Sequence, residues 1–338
     1  MSIDNGLLVL SGPDVQQLLQ GRNRDVINAV KSAYIEHQAG KSCLPHSVFV
    51  RFPERVKERI IALPAYLGGA HEVAGIKWIS SFPGNHALGI SRASAIMVLN
   101  SLETGRPQVV LEGSLISAAR TAASAALAAD VLHAPGAIDT LGVVGCGLIN
   151  REIVRFVTSL GRPIGRILVY DLEPQRADQF GESLAPFIGG VKVQSCATLN
   201  EVMSQSAVVS FATTAVEPTV KDLSMCRPAS TILHISLRDL VADVVLKTDN
   251  VVDDIDHAVR ANTSLHLAEQ KVGHRDFVRA TLAEVLNGSQ PARRSADDIV
   301  VFSPFGLGVL DLAVAQLVMQ QAVTRGLGSR VERFFEGV

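Results

Sequence analysis

A glycine-rich turn is the first feature of this sequence whose residue types and spacing could do chemistry. Residues 141–150 read LGVVGCGLIN, after an apolar β-branched run that predicts a strand and before a repeat that predicts a helix. Gly145 permits a tight turn, and Gly147 lets backbone N–H groups approach a pyrophosphate at the start of the helix. This order predicts a dinucleotide-binding turn. Its candidate cofactor-binding residues are Gly145, Cys146, Gly147, Leu148 and Ile149.

An acid at the end of the next apolar run completes the motif. Asp171 would hydrogen-bond the adenosine ribose and repel a 2′-phosphate, which favours NAD over NADP. Two residues leave alternatives open. Asn150 stands where the motif has its third glycine, so an ordinary strand–helix turn remains a second interpretation. Arg176 could accommodate NADP, although a solvated helix-surface arginine is the simpler interpretation.

Two basic residues on predicted strands are candidates for substrate binding. Lys77 lies in an otherwise apolar strand, where it either points to solvent or enters a cleft to hold a carboxylate or polarise a carbonyl or imine. In the second case Trp78 would face the opposite side, as core. Arg92 opens another predicted strand, and its alternative is a surface charge.

An arginine inside a helix of very small residues is a stronger candidate. Arg120 lies within residues 116–126, whose small side chains predict a buried helix. A buried arginine requires an anion, either a substrate carboxylate or an internal Asp or Glu. Thr121 follows directly and could donate a hydrogen bond to a cofactor phosphate or ribose.

Further polar residues stand at the carboxyl ends of predicted strands, where ligands bind in parallel sheets. Asp239 follows the strand at 231–236 and is placed to act as a general base, or it simply begins a turn. Residues 303–306 read SPFG and could contact nicotinamide. The acid-rich segment 251–257 is interpreted as a solvated loop. The predicted cofactor-binding set also includes Thr213, Ser236 and Gly306.

The composition excludes several classes of function. The chain has 338 residues, 47% of them hydrophobic, and a net charge of −2. This charge gives no reason to expect nucleic acid or an acidic membrane surface as a partner. Its four cysteines have neither disulfide nor zinc-site spacing, and no metal site is expected. With no signal peptide or membrane span apparent in the sequence, we expect a cytoplasmic protein. The histidines suggest no Ser/His/Asp arrangement.

The first hundred residues do not follow a strand–helix alternation. A short strand at 7–10 and helices at 14–19 and 24–38 precede several strand-like runs separated by Gly- and Pro-containing turns. These runs predict a mixed, largely antiparallel sheet with strands at 48–52, 59–63, 72–80, 93–99 and 108–112.

From residue 113 onward the pattern changes. An Ala-rich helix at 113–132 leads into alternating strands and helices, which predict a Rossmann-type doubly wound parallel sheet. The last helix, near 307–325, is expected to return to the N-terminal domain. We therefore predict an α/β protein with a discontinuous α+β domain (1–125 with 308–338), to which the family resemblance described below adds substrate binding and dimerisation, and an NAD-binding Rossmann domain (126–307). The expected parallel strands lie near 139–145, 166–171, 191–194, 206–211, 230–236 and 249–253.

Together these residues resemble the ornithine cyclodeaminase/μ-crystallin family over nearly the whole chain. Within the family the sequence is most similar to the branch of 2,3-diaminopropionate biosynthesis, the N-[(2S)-2-amino-2-carboxyethyl]-L-glutamate dehydrogenases. The segments that match the family are Gly75–Trp78, Arg92–Ser94, Glu103–Pro107, Ala119–Ala123, Gly145–Gly147, Asp239 and Ser303–Gly306. The segments shared with the branch are Arg59–Pro64, Leu67–Gly69, Gly75–Ile79, Arg92–Ser94 and Ser114–Ser117.

The resemblance implies a homodimer formed through the N-terminal sheet, with an amino-acid substrate between the domains. Lys77 and Arg120 would hold a carboxylate beside the nicotinamide, and Asp239 would act on the amine and water. The implied reaction is NAD-dependent oxidative hydrolysis of N-(2-amino-2-carboxyethyl)-L-glutamate to 2,3-diaminopropionate and 2-oxoglutarate, for siderophore or peptide-antibiotic synthesis.

One departure from the family concerns ornithine. Ornithine-cyclising members carry a glutamate where this chain has Ile61, so ornithine is disfavoured, whereas Arg51 and Arg92 could serve a larger, more anionic ligand. The alternatives are an ornithine cyclodeaminase, an alanine dehydrogenase or a ketimine reductase of the same family. A non-catalytic nicotinamide-binding protein of the μ-crystallin type is an alternative of another class.

Overall fold

The chain forms two compact units, each built on its own eight-stranded sheet. The computed structural model describes residues 5–336. The first unit consists of the chain up to Arg120 together with the chain from Leu307 onward, and the second is Thr121–Gly306. The predicted boundaries lie at 125/126 and 307/308.

The first stretch of chain supplies seven strands and three helices. Ser11 and Asp14 form a capping box that fixes the start of the first helix. The helices are α1 (Gly12–Leu19), α2 (Asn23–Gln38) and α3 (Ser114–Leu132), and a 3₁₀ turn covers Pro83–Leu88. The strands are β1 (Leu7–Leu10), β2 (Ser42–Cys43), β3 (Val48–Phe52), β4 (Arg55–Leu67), β5 (Val73–Ser81), β6 (Ala93–Asn100) and β7 (Pro107–Glu112).

Residues 133–336 supply nine strands and eight helices. The strands are β8 (Ile138–Val144), β9 (Ile164–Tyr170), β10 (Lys192–Ser195), β11 (Val208–Phe211), β12 (Thr231–His234), β13 (Asp249–Val252), β14 (Val278–Thr281), β15 (Val300–Ser303) and β16 (Ser329–Val331). The helices are α4 (Leu148–Ser159), α5 (Pro174–Leu184), α6 (Leu199–Gln205), α7 (Ala242–Val245), α8 (Ile255–Ala258), α9 (Ser264–Val272), α10 (Leu282–Leu286) and α11 (Gly308–Arg325).

The sheet of the first unit is mixed. Its order is β16-β1-β7-β6-β5-β4-β2, with β3 also paired to β4. Only β1 and β7 run parallel; the other pairs are antiparallel. Helix α11 packs on β4, β5 and β6. The last helix therefore closes a unit that the first third of the chain began, which makes this α+β domain discontinuous, as predicted.

The sheet of the second unit is wholly parallel. Its order is β10-β9-β8-β11-β12-β15-β13-β14. The chain moves outward from β8 through β9 to β10 and then returns to place β11 on the other side of β8. This reversal between β8 and β11 is the switch point at which such sheets bind ligands. The predicted fold class, a Rossmann-type parallel sheet plus a discontinuous α+β domain, is confirmed.

Several predicted elements differ from the structure in informative ways. The strands at 7–10 and 48–52 match their observed bounds, whereas β4 is much longer than the predicted 59–63. Strands β14 and β15 were not predicted. Each has four residues, and so do β10 to β13, which were predicted, so shortness alone does not explain the omission.

Helix α3 is long and apolar enough to cross a membrane by length and composition alone. Two thirds of its most apolar window is buried within the protein, and the core helix of a globular protein passes the same test. This feature is weak support for a membrane span.

Candidate functional site

A buried carboxylate joins the two cations that the sequence singled out. Asp311, in the first turn of α11, accepts a hydrogen bond from Lys77 Nζ at 2.6 Å and another from Arg120 Nε at 3.0 Å. Lys77 Nζ also donates to Ser117 Oγ at 3.2 Å. All four residues belong to the first unit, and we call Lys77, Arg120 and Asp311 the clamp.

Burial determines the electrostatics of the clamp. Lys77 is 2% exposed, which excludes the solvent-facing alternative. Burial lowers the pKa of Lys77 to about 8, with Asp311 opposing the shift and the Arg120 charge adding to it. Burial alone would raise the pKa of Asp311, but the two adjacent cations outweigh it and hold that pKa below its usual range. Two cations and one anion leave the clamp with a net charge of +1.

Strand alternation places Lys77 in this environment. Lys77 is paired with Leu63 on β4 and Met97 on β6, on the sheet face that α11 covers. Trp78 therefore lies on the opposite face, as expected, but it is 41% exposed, so its prediction as a core residue is wrong. Sequence reasoning missed Asp311, although an acid in so apolar a helix was a usable signal.

The other predicted substrate-binding residues lie outside the clamp. Arg51, on β3, is exposed, and its guanidinium carbon lies 4.9 Å from the centre of the Phe49 ring. Arg92 is half-buried and immediately precedes β6. Neither has an ion-pair partner among those found in residues 5–336.

The glycine turn of the second unit has two distinct kinds of glycine. Gly145 has a φ of +89°, and a Cβ there would lie 2.7 Å from the carbonyl oxygen of Ala212. Gly147, the N-cap of α4, has an ordinary φ of −103°, and a Cβ there would meet nothing within 4 Å. The chain itself thus requires glycine at position 145, whereas the space beside Gly147 is open to a ligand at a helix N-terminus.

Asn150 explains how the turn works without a third glycine. Its buried side chain donates to the carbonyls of Val144 and Gly145 at 2.8 and 2.7 Å and accepts a hydrogen bond from Ser210 Oγ at 2.7 Å. Asn150 therefore ties the turn after β8 to the neighbouring strand β11. Such a fully satisfied buried amide holds a single turn conformation.

The structure brings Asp171 to the same turn. Asp171 follows β9, and its carboxylate accepts hydrogen bonds from the backbone N–H of Cys146 at 2.7 Å and of Glu173 at 3.1 Å. Burial, with a smaller effect of Asp171, raises the pKa of Cys146 to about 12. This thiol is protonated at neutral pH and packs in the turn, and Leu148 and Ile149 begin α4 beside it. Thr121 lies half-buried on α3, the first residue of this unit.

Asp239 lies within a polar network at the ends of β11 and β12. Its carboxylate accepts hydrogen bonds from Thr213 Oγ1, at 2.5 Å, and from Ser236 Oγ. Although burial alone would raise the pKa of Asp239, the nearby His234 ring and these two hydroxyls lower it below its usual range. Asp239 is therefore a buried, ionised carboxylate.

His234 extends this network to β15. Its Nε2 lies 3.1 Å from the backbone N–H of Asp239 and 3.3 Å from that residue's carboxylate, and its Nδ1 lies 3.1 Å from Ser303 Oγ. The expectation of no Ser/His/Asp arrangement is wrong as a statement of geometry, yet Ser303 is fully buried and cannot reach a substrate as a nucleophile.

The acid-rich segment is not the solvated loop that the sequence predicted. Asp253, directly after β13, is 2% exposed and accepts hydrogen bonds from the backbone N–H groups of Asp254, Phe305 and Gly306. Burial raises the pKa of Asp253 despite these bonds. The Asp253 carboxylate holds the segment 303–306 in place through its bonds to Phe305 and Gly306. Gly306 is the residue of this segment that was predicted to contact the cofactor. Among residues 5–336 no His, Cys, Asp and Glu group of three or more has metal-site geometry.

We predict opposite behaviour for two alanine variants of the glycine turn. Gly145→Ala should lower the free energy of unfolding by roughly 1–3 kcal/mol, because it forces a side chain into a left-handed conformation against Ala212. Gly147→Ala should change it by less than about 0.5 kcal/mol but weaken NADH binding, since the methyl enters the open space. Urea unfolding and NADH fluorescence titration measure the two effects. Unchanged NADH affinity in Gly147→Ala would place the dinucleotide elsewhere.

The second prediction concerns Asp311. Asp311→Asn leaves two buried cations without their carboxylate and should cost about 3 kcal/mol of unfolding free energy. Because the folded-state pKa of Asp311 is lowered, its stabilisation is present above pH ~4 and is lost as the pH falls further, so the variant should show a flatter acid limb. The matched control is Asp25→Asn, which breaks an exposed Arg22–Asp25 pair and should cost under about 1 kcal/mol. Equal losses in both variants would contradict a structural role for the clamp.

Comparison with known proteins identifies the family. The sequence profile of the ornithine cyclodeaminase/mu-crystallin family matches residues 8–326. The N-((2S)-2-amino-2-carboxyethyl)-L-glutamate dehydrogenase of Staphylococcus aureus is 30% identical over 97% of this chain and 99% of its own.

Two solved structures share the whole fold. The Thermococcus litoralis Delta(1)-pyrroline-2-carboxylate reductase, in complex with NADH and L-proline, matches with a TM-score of 0.89 and 27% identity, over 96% of this chain and all of that one. An archaeal alanine dehydrogenase dimer with bound NAD matches with a TM-score of 0.86 and 28% identity, over 97% and 99% of the two chains. The names of these three relatives imply different substrates, while their sequence identities to this chain are nearly equal. Together they establish the family and the fold of the chain. The chain belongs to the ornithine cyclodeaminase/mu-crystallin family.

Proposed function

We propose that this protein is an NAD-dependent oxidoreductase that oxidises the secondary amine of N-((2S)-2-amino-2-carboxyethyl)-L-glutamate. Water then cleaves the resulting imine to 2,3-diaminopropionate and 2-oxoglutarate, within siderophore or peptide-antibiotic synthesis. The observation that carries the proposal is the clamp: two buried cations share one carboxylate and keep a net charge of +1. An amino-acid carboxylate is the ligand that such a site accepts best.

The second unit supplies a site with the features that NAD requires. The space beside Gly147 is open at the N-terminus of the twelve-residue helix α4, where backbone N–H groups favour a pyrophosphate. Asp171 directly follows the neighbouring strand β9, where its carboxylate would hydrogen-bond an adenosine ribose. When bound, NAD supplies the acceptor for the hydride. Thr121, Thr213, Ser236 and Gly306 are the remaining residues that we assign to cofactor binding.

Lys77 and Arg120 would fix the substrate by its α-carboxylate. Asp311 bonds Arg120 through Nε, so the guanidinium can present Nη1 and Nη2 to a carboxylate as a pair of parallel donors. A carboxylate held in this way leaves the adjacent Cα–H with a defined direction for hydride transfer. Asp311 orients both cations before the substrate arrives.

The proton chemistry divides between two residues. Asp239 is ionised and held by two hydroxyls, so it suits the positive charge that develops at the substrate nitrogen better than it suits proton removal. Lys77, with a pKa of about 8, lies closer to the range of an effective acid–base group at neutral pH. We therefore assign to Asp239 the electrostatic role and to Lys77 Nζ the proton exchanged with amine and water.

The substrate assignment rests on charge around the clamp. Ile61 is paired with Ile79 two residues before Leu63, on the same sheet face as Lys77. An isoleucine there cannot hold the side-chain ammonium of ornithine, which needs an acid. Alanine dehydrogenase and ketimine reductase activities remain the alternatives within the family, and a non-catalytic nicotinamide-binding protein is the alternative outside it.

We also propose a homodimer formed through the open face of the first sheet. The strand register aligns Val48 on β3, Trp78 on β5 and Ile96 on β6 in one row across the sheet. Their exposed fractions are 62%, 41% and 49%, respectively. Contiguous exposed apolar residues mark interaction surfaces. The solved alanine dehydrogenase to which this chain is similar is a dimer.

The function is tested by incubating the purified protein with NAD and each candidate substrate. With N-((2S)-2-amino-2-carboxyethyl)-L-glutamate we expect an increase in NADH absorbance. Mass spectrometry should detect equal amounts of 2-oxoglutarate and 2,3-diaminopropionate. Ornithine should give no proline, and L-alanine little NADH. If NADH forms with alanine but not with N-((2S)-2-amino-2-carboxyethyl)-L-glutamate, which is a tricarboxylate, the protein is an alanine dehydrogenase and the proposal is wrong. If NADH binds but no substrate is turned over, the protein is non-catalytic.

The dimer is tested with a charge on its face. Ile96→Glu and Trp78→Glu should each shift the mass measured by light scattering from dimer toward monomer, because a carboxylate would be buried without a partner. The control is Val323→Glu, an exposed apolar position (70%) on α11, which should leave the mass unchanged. A wild-type monomer at micromolar concentration would contradict the proposed interface.

A further inference from the structure

We propose that Arg51 and Arg59 bind a second, distal carboxylate of the substrate and so select elongated polycarboxylic amino acids. This inference rests on the proposed function, because it takes the clamp as the site of the α-carboxylate.

The strand register places both arginines on the face of the clamp. Arg51 on β3 is directly opposite Arg59 on β4, and Arg59 is directly opposite Ser81 on β5. Residues directly opposite each other share a face, and Ser81 lies four residues from Lys77 on the same strand. The arginine row is therefore about 13 Å along the strands from the row of Lys77.

The side chain of Arg51 shortens this distance. Its guanidinium carbon lies 4.9 Å from the centre of the Phe49 ring, two residues back along β3. Phe49 stands in the row of Ile61 and Ile79, the row next to that of Lys77. Arg51 therefore presents its charge over the intermediate row, on the clamp side of its own backbone position.

The three rows form a graded surface for one kind of ligand. The clamp row carries a net positive charge, the next row is apolar with Phe49, Ile61 and Ile79, and the third row carries the two arginines. None of these three apolar residues is fully buried, so α11 does not close the middle row. A carboxylate, a short hydrocarbon segment and a further carboxylate match this order.

The charge pattern also argues against small or cationic substrates. A carboxylate that lies between two arginines directly opposite each other across a strand pair is attracted by both charges. Alanine has no group that could reach this row, and the ammonium of ornithine would be repelled by it. The γ-carboxylate of a glutamate moiety has the required sign and reach.

The test compares ligands that differ by one charge. We would measure, by calorimetry in the presence of NADH so that no turnover occurs, the affinity of N-((2S)-2-amino-2-carboxyethyl)-L-glutamate and of its isosteric γ-amide. L-glutamate and L-glutamine serve as a second pair. Wild-type protein should prefer the acid in each pair by ~10-fold or more, the usual scale of a charge-assisted hydrogen bond.

The variants are Arg51→Gln and Arg59→Gln, with Lys57→Gln as the matched control. Lys57 is exposed and lies on β4 two residues before Arg59, so its loss lowers the general positive field without touching the pair. Each arginine variant should bring the acid-to-amide preference close to 1 and leave NADH affinity unchanged, and Arg51→Gln, at an exposed position, should also leave the melting temperature unchanged. The control should keep the wild-type preference.

The outcomes separate this inference from the proposed reaction. A preference for the acid that disappears in the arginine variants, without NADH formation from the tricarboxylate, supports the arginine pair and moves the reaction to another polycarboxylate. Turnover of the tricarboxylate with an unchanged KM in both variants supports the reaction and overturns the arginine pair. Absence of any acid preference in wild type, or its loss in Lys57→Gln as well, also overturns the pair.

Discussion

The ion network of Lys77, Arg120 and Asp311 is the constraint on which the first unit depends. A buried lysine and a buried arginine destabilise a fold unless an anion accompanies them, and that anion comes from α11, more than 180 residues after Arg120 in the chain. The chain must therefore return to its first sheet after the second unit is complete. The discontinuity of the domain and the charge of the site have one cause. In the proposed function, the same carboxylate that makes burial of the cations tolerable would also hold them ready for a substrate anion.

In the second unit, buried polar side chains stabilise the turns at the carboxyl ends of the strands. There the turns after β8, β11, β12, β13 and β15 leave backbone groups without ladder partners, and buried side chains satisfy them. Asn150 caps carbonyls of the glycine turn, His234 accepts the Asp239 amide, and Asp253 accepts the amides of Phe305 and Gly306. Each bond ties one strand end to another segment. The edge of the sheet is thereby rigid before a ligand arrives, which lowers the cost of reorganisation during a reaction.

The sequence was informative wherever the signal was local. The glycine turn, the alternation of strands and helices and the unusual Lys77 and Arg120 could all be predicted, because a few adjacent residues carry each pattern. The partners of Asp311, His234 and Ser303 could not be predicted, since the bonds from Asp311 to the two cations and from His234 to Ser303 join residues 69 or more positions apart. Trp78 was misjudged for the same reason: alternation gives the face on which a side chain lies, but not whether anything covers that face. Asp253 looked like part of a solvated acid run because its backbone partners lie in a distant segment.

Substrate choice in this fold is a question of what lies beyond the clamp. Any α-amino or α-imino acid presents a carboxylate next to the reacting C–N bond, so a clamp that binds this carboxylate stabilises all such substrates to a similar extent and cannot discriminate among them. Discrimination requires groups that contact the rest of the substrate. In the first unit the nearest such row is apolar, at Phe49, Ile61 and Ile79, and the next is basic, at Arg51 and Arg59. In the proposed function, a site with this order of chemistry would reject a side-chain ammonium through repulsion and an uncharged short side chain through lost contacts. What remains is an extended side chain that ends in an anion.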